Sequence, residues 1–80
     1  MARRKPMTPE HRAWVQGAAV ALGVLGRVGH NKPGVAADIA HGMGLTLADF
    51  KQARCEPFDV RPFRAELRQL ELRAARREVP

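Results

Sequence analysis

The chain contains no serine and no tyrosine, which removes serine-nucleophile chemistry and the tyrosine general acid. Its one cysteine, Cys55, has no partner for an intramolecular disulfide, so a stapled secreted scaffold is excluded. Large apolar side chains are scarce as well. The hydrophobic share is 45%, but thirteen of those residues are alanine, and Leu, Val, Ile and Phe together make only 18 of 80. That lies just above the limit of about 20% below which charged chains tend to stay unfolded. A chain this short buries only about 60% of the surface its unfolded form exposes. A large enzyme fold around a buried cofactor is therefore out, and neither an enzymatic activity nor a cofactor is expected. Nor is there a long hydrophobic run. From Trp14 to Gly26 only Gln16 is polar, but this stretch falls short of the roughly twenty residues that span a bilayer. Arg12 and Arg27 close it off. The basic start is interrupted by Pro6 and Pro9, and no small-residue cleavage site follows the apolar run, so a signal peptide is not expected. The reading is a soluble, cytoplasmic protein with no membrane partner.

Positive charge is what the chain has in excess. Fourteen Lys+Arg against eight Asp+Glu give a net charge of +6, and arginine outnumbers lysine eleven to three, a usage that fits GC-rich bacterial genomes and their phages. Residues 1–12 carry four cations and one anion, and residues 56–80 carry six cations and five anions. An acidic mimic of DNA is excluded by sign. A basic arm, 1–7, precedes a single helical domain, 8–80.

Four helices and no strand are expected. Thr8 is placed to cap a first helix, with Pro9 at its first position, running to about Val28. Its best stripe is Trp14, Ala18, Leu22, Leu25 and Val28. The opposite face, Val15, Ala19 and Gly23, is also apolar, which predicts a helix buried on all sides, central to the fold or to a dimer. Small residues four apart along it (Gly17 and Ala21, Ala19 and Gly23) allow close approach of another backbone. Turn residues at 29–34 lead, with Asn31 as cap, into a second helix near 33–43 carrying Val35, Ile39 and Met43. Thr46 and Asp49 form a capping-box pair for a short third helix near 47–54. Pro57 breaks the chain, Asp59 caps a long last helix near 60–77, and Val60, Phe63, Leu67, Leu70 and Ala74 make a two-in-seven seam. Its other face alternates Arg64, Glu66, Arg68, Glu71 and Arg73, which reads as a solvated, salt-bridged surface. The fold class is an all-α bundle of about four helices. Trp14, Leu22, Leu25, Ile39, Met43, Phe50, Phe63 and Leu67 are expected in the core, and a homodimer through the first or last helix is expected as an option.

His11, His30 and His41 have separations that match no metal-ligand spacing, and no metal is expected. Gly42-Met43-Gly44 lacks the strand and the Lys-Thr of a phosphate loop and reads as a helix end. Lys51 and Arg54 flank Cys55 and would lower its pKa, but no base or oxyanion donor accompanies it. From Ala36 to Cys55 a sharper pattern appears. Small Ala40 falls fifth and Gly44 ninth, where a helix-turn-helix needs close packing and a left-handed residue. Ile39, Met43, Leu45, Phe50 and Ala53 fall on the internal positions of such a unit. This quarter of the chain resembles bacterial and phage helix-turn-helix DNA-binding proteins. The order from the Ala-Gly-rich helix through AADIA, GMGLTLADF and FDVRPFR is also similar to small proteins encoded by phages and prophages.

These resemblances imply a viral accessory protein working in a bacterial host cell, and they frame two expectations. In the first, the protein binds nucleic acid. Arg3, Arg4 and Lys5 neutralise phosphates, while Thr46, Lys51 and Gln52 face a groove. Leu47 and Ala48 sit on the same outward side and Asp49 has the wrong sign for it. In the second, the protein is an anti-defence inhibitor, of the anti-CRISPR kind, docking on a host protein or ribonucleoprotein complex. Arg54, Phe58, Arg61 and Arg64 are its expected anchors.

Overall fold

A computed structural model describes residues 6–28 and 33–78. Among these residues the chain is all α-helix: α1 (Pro9–Val28), α2 (Pro33–Gly42), α3 (Leu47–Gln52) and α4 (Pro57–Glu78). The amide of His11 donates to Thr8 Oγ1 at 3.1 Å, so Thr8 caps α1 as its sequence predicts. The expected cap at Asn31 lies outside the described residues.

At the end of α2, Gly44 takes φ +77°. Its amide donates to His41 O at 3.0 Å, and the Leu45 amide reaches back to Ala40 O at 2.9 Å. This pair of bonds is a Schellman ending, which needs a left-handed residue at that point. The end of α3 repeats it without glycine. Arg54 donates to Lys51 O at 3.1 Å and Cys55 to Phe50 O at 3.1 Å, with Arg54 at φ 59°.

The last helix starts earlier than Asp59. Pro57 is its first residue, a position where a missing N–H costs no helical bond. The Glu56 carbonyl accepts from the Asp59 and Val60 amides. Pro62 therefore lies inside the helix and deprives the Phe58 carbonyl of its usual donor. Arg27 Nη1 supplies a replacement at 3.3 Å. The same guanidinium lies 4.2 Å over the Phe58 ring and 3.9 Å from Asp59 Oδ1. α1 approaches α4 closely here: a Cβ on Gly26 would come 2.8 Å from Pro62 Cβ, and one on Gly23 would run into the Asp59 backbone.

The core is small and centred on Phe50 and Phe63, whose rings meet edge to face at 5.5 Å. Val15, Leu22, Leu45, Val60 and Leu67 surround them, and five alanines, 19, 36, 37, 40 and 53, complete the buried set. Val60, Phe63 and Leu67 bear out the expected α4 seam, and Leu70 packs at its edge. The buried part of this seam packs inside the chain, against α1 and α2.

Three expected core residues are exposed instead: Trp14 by 49%, Ile39 by 41% and Met43 by 45%. α1 buries the stripe through Val15, Ala19, Leu22 and Gly23, not the one through Trp14 and Val28. α2 turns Ala36, Ala37 and Ala40 inward, on the side that packs against α1 and α4. α1 packs against each of the other three helices, but it is not buried on all sides. The Cα envelope measures 40 × 36 × 17 Å, a slab about two helix layers deep at the usual 8–10 Å spacing, and α1 has one side in solvent.

Candidate partner-binding groove between α3 and α4

α3 is held at both ends. Thr46 Oγ1 accepts from the Asp49 amide at 3.1 Å, and the Thr46 amide donates to Asp49 Oδ2 at 2.9 Å, the expected capping box. The Thr46 hydroxyl also donates to Asp49 Oδ2 at 3.0 Å. The Leu47 amide donates to Glu71 Oε2 of α4 at 2.9 Å. Two carboxylates thus occupy the positive end of this short helix.

Between α3 and α4 runs a groove of about 410 Å³. Leu47, Ala48, Phe50, Cys55, Pro57 and Val60 line it with apolar surface, and Lys51, Arg61 and Arg64 carry the positive charge. All three cations are exposed. Among the described residues none of them has an ion pair, and no ion pair joins the charges of α4 from Arg61 to Arg77. The expected salt bridges of this face are not formed among the described residues: its arginines and Glu66 are exposed and unpaired, and Glu71 is turned to α3. An apolar side chain with carboxylates beside it is the complement to such a groove.

The structure regroups the candidate residues. Lys51, expected to read a nucleic acid, and Arg61 and Arg64, expected to anchor a protein, share one groove. Arg54 does not join them; it lines a separate cleft of about 240 Å³ with Gln16, Glu56 and Asp59. Phe58 is exposed but committed to Arg27 on the α1 side. Thr46 has its hydroxyl engaged in the cap, and Gln52 is half-buried and already engaged. Arg3, Arg4 and Lys5 lie outside the described residues. Leu47 and Ala48, poor base readers in the sequence, become useful as apolar lining. Glu71 and Arg27 went unrecognised, since nothing in their spacing announces a contact more than twenty residues away.

Cys55 is not the activated thiol that its basic neighbours suggest. Its thiol pKa is raised, first by burial and then by the negative charge of Asp59, so the flanking cations do not activate it. Its Sγ lies 3.9 Å from Val15 O. No three His, Cys, Asp or Glu side chains gather into a metal site among the described residues, and no described helix is long and apolar enough to cross a membrane.

Compared with protein-family models, with curated proteins and with solved structures, the chain gives no match.

Proposed function

We propose that this chain is a non-enzymatic binding protein that docks an acidic, amphipathic segment of a protein partner in the α3–α4 groove. The observation that carries this reading is the set of unneutralised cations, Lys51, Arg61 and Arg64, around an apolar lining. A partner helix with one or two aliphatic residues flanked by Asp or Glu meets both requirements. Its carboxylates gain charge-assisted hydrogen bonds to Arg61 and Arg64, whose planar guanidinium suits bidentate contact. In the phage setting implied by the sequence resemblance, such a face serves an inhibitor of a host protein or ribonucleoprotein complex.

The nucleic-acid reading keeps a specific observation in its favour: Arg61, Arg64 and Arg68 are exposed along one side of α4 and are available to phosphates. The insertion of α3 into a major groove is less favoured. Asp49 and Glu71 place negative charge at the helix end that would approach the nucleic-acid backbone, and the Thr46 hydroxyl is already committed.

Fluorescence anisotropy with two labelled probes separates the readings. One probe is an amphipathic peptide with Glu flanking Leu, and the other is a random-sequence DNA duplex. The docking reading expects the peptide to bind, and Arg61→Glu with Arg64→Glu to weaken it more than tenfold with helicity unchanged. Exposed sites of this kind leave the fold untouched. Duplex binding that falls steeply with salt, with no binding of the peptide, transfers the function to nucleic acid. Failure of both probes removes the groove as a contact site for either.

A further inference from the structure

We infer that the C-terminal part of α4 is a second binding surface, which lies along the phosphate backbone of double-stranded DNA. It does not depend on the α3–α4 groove, whose lining ends at Arg64. Leu67 is the last buried side chain among the described residues of α4, and from Arg68 to Arg77 none is buried. At about 1.5 Å per residue, this makes about 15 Å of helix beyond the buried seam. Arg68, Arg73, Arg76 and Arg77 are exposed along it. Among the described residues none of the four has an ion pair.

Helix physics alone explains only half of this set. Cations at a C-terminus interact favourably with the helix dipole, but the effect falls off within the last turn. It accounts for Arg76 and Arg77 and leaves Arg68 and Arg73. Arg73 stands three residues from Arg76 and four from Arg77, spacings at which like charges destabilise a helix. The nearby acids do not offset them. Glu71 accepts from the Leu47 amide on α3, and Glu66 is exposed and unpaired. Helical periodicity, about 100° per residue, spreads the four arginines over about half of the circumference, opposite Leu67. A partner with negative charge on two sides of the helix satisfies the whole set.

That arc selects the partner. The major groove of a DNA duplex is about 12 Å wide, matches the diameter of a helix with its side chains, and has phosphates along both walls. Arginines at the two edges of the arc reach opposite walls, with Gln69 and Leu72 between them. Their planar guanidinium suits bidentate contact with phosphate. An RNA duplex fits less well, since its major groove is deep and narrow. A single strand is held largely by stacking on aromatic side chains, and residues 65–77 contain none. A protein interface needs an apolar centre, whereas Leu72 is the one large apolar side chain fully exposed in this segment. A lipid surface takes a helix whose apolar face is free, and that face of α4 carries Phe63 and Leu67 into the core.

The test is fluorescence anisotropy of a labelled random-sequence DNA duplex, titrated with the full chain at several salt concentrations. Four neutralised phosphates give a slope of about −3.6 in log K against log[salt], about a hundredfold loss of affinity between roughly 50 and 200 mM. Arg73→Gln with Arg76→Gln and Arg77→Gln weakens binding at least tenfold at low salt and brings the slope to about −0.9. Helicity stays at the wild-type level, because glutamine is a good helix former. Arg68→Gln alone lowers the slope by about 0.9. Arg61→Gln with Arg64→Gln, in the groove, changes duplex binding less than threefold, and the triple variant leaves peptide binding in the groove unchanged. A groove that binds no peptide therefore does not affect this result. No duplex binding at micromolar protein and low salt overturns the proposal. So does binding that the triple variant leaves intact, which places the contact elsewhere on the chain. An equal loss in the Arg61 and Arg64 variant, or a single strand of the same length bound as tightly, overturns it too. Binding to phosphatidylserine vesicles in place of the duplex assigns the arginines to lipid and has the same consequence.

Discussion

Gly17→Ala and Gly23→Ala make the same chemical change six residues apart in one helix, and the packing of α1 on α4 gives them opposite signs. Replacing an interior helical glycine by alanine gains about 1 kcal/mol from backbone entropy alone. At Gly17 nothing opposes that gain, because the new methyl group meets open space. At Gly23 the methyl group would overlap the Asp59 carbonyl oxygen and lie 3.0 Å from Asp59 Cα. That carbonyl belongs to the first turns of α4, so it cannot move alone. α1 and α4 must separate, which loosens buried Leu22 and Val60 beside it. Overpacking of this kind costs about 1–3 kcal/mol, leaving a net loss of up to about 2 kcal/mol once the propensity gain is deducted. Small domains shift by about 4–8 °C per kcal/mol. Thermal melts followed by far-UV circular dichroism should therefore raise Tm by about 4–8 °C for Gly17→Ala and lower it by up to twice that for Gly23→Ala. Equal shifts for the two variants would falsify the close α1–α4 approach, since propensity alone predicts them.

Two further outcomes follow from the chain ends around α3. Arg54→Gly should stabilise the protein by about 0.5–1 kcal/mol, read as a higher urea midpoint, because Arg54 occupies a left-handed conformation that glycine adopts without strain; an unchanged or lower midpoint contradicts the ending described for α3. Cys55 should react with a disulfide probe more slowly in the folded chain than in urea at mildly alkaline pH, since its pKa is raised and the thiolate is the reactive form. The sign for stability follows. Below the unfolded thiol's pKa both states hold the proton, and as pH rises past it the unfolded chain ionises first, so the stability contribution of Cys55 is lost as pH climbs through the folded value. Faster reaction in the folded state refutes the assignment.

Much of the backbone was legible because its punctuation is local. Thr8-Pro9, Pro33, the Thr46–Asp49 pair and Gly44 each act within a turn of helix, and each does in the structure what its residue type predicts. The start of α4 was misread because proline before a helix and proline opening a helix look alike. Glu56 stays outside the helix, as the rule for residues before proline requires, but Pro57 begins it. The phase of α1 was not legible for a different reason. Both of its faces are apolar, so periodicity offers no contrast, and size favoured Trp14 over Val15. What decides the phase is the Asp59–Pro62 backbone of α4, which only the face with Gly23 and Gly26 admits. The groove was hidden because it depends on the angle between α3 and α4. Lys51 and Arg61 are ten residues apart and meet only after the Arg54 turn.

That turn and the start of α4 connect the buried side of the molecule to the groove. Pro62 leaves the Phe58 carbonyl without its helical donor, at an exposed position that water or a side chain can serve. Arg27 reaches it from α1, and the same side chain covers Phe58 and approaches Asp59. Gly23 and Gly26 bring α1 near enough for that contact. The first turns of α4 are thereby fixed in both position and rotation. With Asp59 and Pro62 held against α1, the periodicity of the helix turns Arg61 and Arg64 away from it, toward Lys51 on α3. The three cations are spread over two helices, yet their convergence follows from contacts none of them makes. Arg27 and the two glycines set the charge pattern of a surface on the other side of α4.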